Sequence, residues 1–323
     1  MPTLRSRRDF LATSGSCAAH LACAGLAAPP RLRDWWARAP GGAVVAAEPF
    51  GRLERVADGV WALISTPLGG DRTTLSNGGL VAGRNAVLAI EGFNQPEGAA
   101  WLAARAKDLT GRWPTHVVLT HYHADHANGV AGYGAARSEI VTLRVTATTR
   151  DLVQARNLPP DLPRSEAILH GQPISEAEAT SLDLGGRAVT IALSRGHTAS
   201  DVTVDVPDAG VLFCGDLVWN AMFPNYVDAQ PAELATAVRA LRRGSTTTYI
   251  PGHGAVAGDA ALDRYLAMLD EIERAARAAR SNGQSAADAG ATYALPASLG
   301  EWVLFNKIFF ERAFGAWYKL LGG

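Results

Sequence analysis

The chain has 323 residues, 48% hydrophobic and 19% charged, with a formal net charge of -1. That is ordinary globular composition at a length that can bury a sizeable core. It excludes a strongly basic nucleic-acid binder and a highly charged disordered chain, and leaves a small molecule as the expected partner.

The first residues read differently from the rest. In "SRRDFLATSGSCAAHLACAGLAA", Arg7 and Arg8 precede an alanine-rich run that ends at Ala28. This is the pattern of a twin-arginine export signal, which predicts a periplasmic or secreted protein. His20 and the many small residues make the run too weakly apolar for a stable membrane span after processing. Cys17 and Cys23 fall in this segment, so Cys214 is left alone and no intramolecular disulfide is expected. Residues 29 to 50 are rich in Pro, Gly and Ala and read as linker. The division is residues 1–47 as signal and linker, 48–280 as the main domain, and 281–323 as an aromatic-rich helical extension packed on it.

From Leu53 onward short strands alternate with turn signals. "VWALIS" (Val60 to Ser65) is a strand, and "LVAG" and "AVLAIEG" form a hairpin. "PEGAAWLAARAKDL" carries Trp101, Leu102, Ala106 and Leu109 at helical spacing, with Pro96 at its start and Gly111 after its end. The apolar strand "THVVLT" follows, then a helix from about Asp125 and another over Thr149 to Arg156. Strands resume at "AVTIAL", "DVTVDV" and "GVLFCG". After them come a helix "PAELATAVRALRR", a strand "TTTYI" and a long amphipathic helix up to Arg280. This order predicts an α/β layered domain with functional residues on loops after strands.

The segment "LTHYHADHANG" crowds His121, His123, Asp125 and His126 into six positions after an apolar strand. At a strand end His121 and His123 point the same way, whereas Asp125 and His126 continue onto the turn. One segment can thus serve two neighbouring points. Imidazole and carboxylate are good zinc ligands, and two metals about 3.5–4 Å apart suit the split. More ligands stand after other strands: His197 in "SRGHTASD", Asp216 in "LFCGDLVW" and His253 in "YIPGHG". His20, His116 and His170 lie outside these motifs and read as surface or capping residues.

With the HxHxDH, GHT, GD and PGHG signals in order, the stretch from Arg52 to Arg280 resembles the metallo-β-lactamase superfamily of hydrolases. The resemblance implies a four-layer αββα sandwich, here with an additional C-terminal helical segment. It implies one metal on His121, His123 and His197, a second on Asp125, His126 and His253, and Asp216 as the bridge. Two Zn2+ ions are expected, with Asp125 and Asp216 also counted as catalytic. Glu91 stands where family members usually carry an aspartate that orients a ligand histidine.

Such a centre would activate a water to attack an ester, lactone, thioester or amide-type carbonyl. Two alternatives stay open: a β-lactam hydrolase, and an oxidoreductase resembling persulfide dioxygenases with one Fe2+. Aspartate rather than Cys or Ser at position 216 resembles the broad hydrolase branch more than the true β-lactamases. Export and the lack of a basic patch near the C-terminus argue against a glutathione thioesterase. In "DLVWNAMFPNYVD", Trp219, Phe223 and Tyr226 either line an apolar pocket or pack in the core, and Asn220 or Asn225 either donates to a developing oxyanion or serves packing. The polar, glycine-rich "PLGGDRTTLSNGG" reads as a flap. Trp302, Phe305, Phe309 and Ala313 fall at helical spacing, which predicts a terminal helix packed on the core, a lid over an apolar substrate, or a homodimer contact.

Overall fold

The computed structural model describes residues 41–66, 70–134, 141–156, 167, 168 and 170–322. The export signal falls on residues 1–40 and so lies outside the described residues. Two sheets face each other. The first holds β1 (Ala43–Glu48), β2 (Gly51–Ala57), β3 (Val60–Ser65), β4 (Gly78–Ala82), β5 (Val87–Ile90), β6 (His116–Val118), β7 (Thr142–Thr146) and β8 (Gln172–Ile174), side by side in chain order. It is antiparallel as far as β5 and parallel from β5 to β8. The second runs β13 (Thr248–His253), β12 (Val211–Trp219), β11 (Val202–Val206), β10 (Ala188–Leu193) and β9 (Thr180–Asp183), with only β12 and β13 parallel.

Period-two alternation builds both cores. On β3, Val60, Ala62 and Ile64 join the core between the sheets. Trp61 and Leu63 join the core beneath helix α1 (Pro96–Thr110). Every residue of β3 is buried, as expected for a strand covered on both faces. α1 starts with Pro at its first position, where a missing N–H costs nothing, and ends at Gly111 in a left-handed cap at φ 73. A single turn, α2 (Ala124–Ala127), and then α3 (Ala147–Arg156) follow. Helices α4 (Pro231–Leu241) and α5 (Asp259–Ser281) cover the outer face of the second sheet with Leu234, Val238, Leu262, Met268 and Ile272. The four layers are therefore helix, sheet, sheet, helix. Among the described residues no helix is long and apolar enough to cross a membrane.

Several sequence expectations shift. The linker read over residues 29 to 50 ends earlier, because β1 already pairs with β2 from Ala43. β7, β8 and β9 were not anticipated; they are three to five residues long, too short to show a period. The aromatic C-terminal face is not one helix. Residues 301–307 are not helical; Val303 forms a bridge, its N–H donating to Ala221 O and its carbonyl accepting from Phe223 N–H, both at 2.9 Å. After a short α6 (Ala286–Thr292), helix α7 (Ile308–Leu320) begins only at Ile308. Its Phe309, Phe310, Ala313, Phe314 and Trp317 are buried within the same chain, as expected for a terminal helix packed on the core.

Candidate metal centre

The parallel pairings decide where the site lies. His121 and His123 follow β6, Asp125 and His126 sit on α2, and His197 lies between β10 and β11. Asp216 lies within β12 rather than after it, and His253 ends β13; all seven reach one edge of the sandwich. Backbone bonds lock the two sheets together there: Val202 N–H donates to Thr120 O and Asn77 N–H to Gly252 O, both at 2.8 Å. The expected flap is partly an anchor. Ser76 Oγ donates to Asp125 O, and Asn77 Nδ2 donates to Pro251 O and Gly254 O.

The structure brings all seven residues together, in two groups. In the first, His123 Nδ1 lies 3.1 Å from His121 Nε2 and 3.0 Å from His197 Nε2. Asp216 Oδ2 is 3.2 Å from His197 Nε2 and 3.9 Å from His121 Nε2. In the second, Asp125 Oδ2 is 3.8 Å from His126 Nε2 and 3.3 Å from His253 Nε2. The other oxygen of Asp216, Oδ1, is 3.1 Å from His126 Nε2 and 3.3 Å from His253 Nε2. Asp216 thus offers one oxygen to each group. Gly252 makes this approach possible, since a Cβ there would come within 1.9 Å of Asp216 Oδ1.

Metal ions fit this donor set. Ligands about 2.0–2.1 Å from a tetrahedral zinc stand about 3.3 Å from one another, close to the spacings above. His126 Nε2, His253 Nε2 and Asp216 Oδ1 are buried without a hydrogen-bond partner, an arrangement that folded proteins avoid unless something else satisfies the atoms.

The surrounding groups set the tautomers. The Thr120 hydroxyl donates to Glu91 Oε1, so its oxygen accepts from His121 Nδ1–H at 3.0 Å and leaves His121 Nε2 facing the cluster. Glu91 Oε1 also lies 3.1 Å from His126 Nδ1. One carboxylate therefore serves a histidine from each group. His123 is turned the other way: its Nε2 is 3.2 Å from Asp228 Oδ2, which also accepts from the Tyr122 hydroxyl. The turn carrying His197 is closed by Asp201, which accepts from Thr198 N–H at 2.7 Å and from the Thr198 hydroxyl at 2.6 Å.

Charge is divided between the groups. Burial, reinforced by the neighbouring histidines, holds His121 well below its ordinary value; burial likewise takes His197 down to about 3. Burial acts the same way on His126 and His253, but Asp216 and the other carboxylates overcome it. His126 is raised well above its usual value and His253 to about 9. Burial alone would raise Asp125, yet His126 and His253 take it down to about 2; the histidines around Asp216 hold it low as well.

Among the residues expected around the site, Trp219 borders it, its ring 3.9 Å from that of His253. Phe223 and Tyr226 do not; they are buried in the core, Phe223 against Phe310. Asn225 borders the site, whereas Asn220 donates to Ala255 O instead. Cys214 is a buried strand residue whose thiol is pushed up by burial. Sequence reasoning missed Thr120, Tyr122, Asp201 and Asp228. The first two lie inside or beside the histidine motif, but nothing in the sequence marks Asp228 as a partner of His123.

Asp228→Asn is expected to weaken metal binding about 10- to 100-fold, because the carboxylate fixes the tautomer and ring orientation of His123. Chelator competition checks this. Unchanged affinity would reduce Asp228 to a tether for its loop.

The sequence profile of the metallo-beta-lactamase superfamily matches residues 92–253, which span all seven clustered residues. The hydroxyacylglutathione hydrolase of Acidiphilium cryptum (strain JF-5) is 29% identical over 225 residues, covering 69% of this chain and 82% of that enzyme. The thioesterase pkgB of Emericella nidulans is 31% identical over 141 residues, 43% of this chain and 34% of that protein. The stereoselective inverting sec-alkylsulfatase Pisa1 from Pseudomonas sp. shares the fold at a TM-score of 0.65 and 16% identity, covering 84% of this chain and 50% of that one. The chain belongs to the metallo-beta-lactamase superfamily.

Proposed function

We propose that the chain is a zinc-dependent hydrolase holding two Zn2+ ions, one on His121, His123 and His197 and one on Asp125, His126 and His253. The observation that carries this reading is the division of Asp216, whose two oxygens face the two groups. It also favours hydrolysis over a one-iron oxidoreductase, which would leave the second group without a task. Bound metal ions supply a nucleophilic water near neutral pH and polarise the substrate oxygen. The chain's own residues complete the site. Asp125, ionised at neutral pH and bordering the cavity, orients the incoming water and receives its proton at the carboxylate. Asn225 sits at the cavity wall, where an amide can steady developing charge on the substrate oxygen.

The substrate is an ester, lactone, thioester or amide-type carbonyl compound. Thioesters come first, because one relative is a thioesterase. The reading includes export to the periplasm or beyond, supported by Arg7 and Arg8 ahead of the alanine-rich run.

The test is elemental analysis of protein purified without added metal from separated periplasm and cytoplasm, followed by assays on ester, lactone, thioester and β-lactam substrates. About two zinc ions per chain with hydrolysis is the expected result. One iron without hydrolysis would overturn it, and protein confined to the cytoplasm would overturn export. The pH dependence has a definite sign. His253 must lose a proton to bind metal, so affinity at the second group falls as pH drops below about 9. In the metal-free fold its stabilising effect is complete below 6.5 and lost as pH rises through about 9, so metal-free thermal stability falls across that window.

A further inference from the structure

The space above the cluster is small, about 10 Å³, on the order of one water molecule. Four of the clustered residues line it, together with Trp219, Asn225 and Phe309. These last three are the lining residues that are not metal-ligand candidates. Trp219 is fixed by its strand and its contact with His253. Phe309 is different in origin: it comes from α7, more than fifty residues beyond the stretch that matches the superfamily profile.

The wall is built into the protein. Phe309 is buried, its ring 6.5 Å from that of Phe305 and 5.7 Å from the Arg312 guanidinium. Arg312 donates to Asn225 Oδ1 at 3.0 Å, which couples α7 to the second wall residue. Phe310 packs edge-on against Phe223 at 4.7 Å, and Val303 bonds to Ala221 and Phe223. The loop after β12 and the C-terminal segment therefore form one unit over the cluster. Among the described residues no lysine or arginine lines the cavity. Arg312, which contacts two of the lining residues, is engaged with Asn225 and the Phe309 ring.

We infer that Phe309 determines substrate specificity: it forms the wall against which an uncharged, apolar acyl group rests, and it selects against anionic substrates such as glutathione thioesters. The inference rests on the hydrolase reading above. An aromatic ring beside the reacting carbonyl removes apolar surface from water on binding and offers nothing to a carboxylate. The same wall limits acyl length, because the ring is one of the side chains that bound the space above the cluster.

The experiment uses metal-loaded full-length protein and the acetyl, butyryl, hexanoyl and octanoyl esters of p-nitrophenol, with a hydroxyacylglutathione as the anionic substrate. Phe309→Ala is expected to raise kcat/KM for octanoyl relative to acetyl esters by at least about tenfold, and Phe309→Trp to move the ratio the other way. Metal content stays unchanged in both. Phe314→Leu, on the same helix but away from the cavity, controls for helix packing and leaves the ratio unchanged. Calorimetric binding of straight-chain carboxylates, as product-like probes, follows the same order in each variant. An unaltered acyl-length profile in the Phe309 variants, or an equal shift in Phe314→Leu, overturns the inference alone. Preference of the unmodified protein for the glutathione thioester overturns its substrate class. No hydrolysis of any ester or thioester by the loaded protein overturns the hydrolase reading and the inference together.

Discussion

The Asp216→Ala protein is expected to lose metal and hydrolysis together. Its zinc content should fall from about two ions to one or fewer per chain, and kcat/KM by at least about a thousandfold, equivalent to about 4 kcal/mol. The reason lies in its two oxygens. Removing them takes one donor from each group and leaves His126 and His253 with Asp125 as the remaining clustered carboxylate. Asp216 is also the chief charge that raises His126 and His253, so without it two buried imidazoles lose the partner that offsets their burial. Asp216→Asn is the informative companion. It keeps the volume beside Gly252 but presents an NH2 donor where one group needs an oxygen, so it should retain one metal and lose most activity. Elemental analysis and steady-state rates on both variants, with thermal melting as the folding control, decide the matter. Full activity with one ion per chain would remove Asp216 from any bridging role.

The centre was legible in sequence to the extent that its donors are local. His121, His123, Asp125 and His126 occupy one strand end, and strand periodicity already separates the first pair from the second. Asp216 and His253 could be placed after strands because apolar runs precede them, but their convergence on one edge depends on the parallel pairing of β12 with β13, which no local pattern states. Asp228 was invisible for the same reason: its contact with His123 spans 105 residues. The C-terminal segment misled because aromatic residues three or four apart also occur outside helices. Trp302 to Phe305 took that course by bonding to the loop after β12. The polar stretch before β4 read as a flap, yet Ser76 and Asn77 use their polarity inward, on the carbonyls of ligand-bearing loops. Polarity in a sequence reports a need for partners and does not say whether water or backbone provides them.

Glu91→Gln is expected to weaken metal binding about a hundredfold, at the upper end for an orienting residue, because it acts on both groups. Glu91 has φ 78, in the left-handed region that costs a non-glycine residue of order 1–3 kcal/mol. That cost is consistent with a side chain held for its contacts. Glu91 accepts from the Thr120 hydroxyl, which fixes His121, and it lies beside His126 Nδ1. Glutamine keeps the shape and one acceptor but removes the charge that favours a proton on His126 Nδ1 and so a free Nε2. Glu91→Asp, the residue usual in the family, keeps the charge but is one methylene shorter. Its carboxylate should hold either Thr120 or His126 well, not both, and give an intermediate affinity. Glu91→Gly relieves the backbone and removes the carboxylate, so melting temperature and metal affinity should part company in that variant alone. Chelator competition across the three substitutions ranks them. If glutamine matches glutamate, the charge of Glu91 does not tune the metals, and its left-handed backbone is only the way β5 ends.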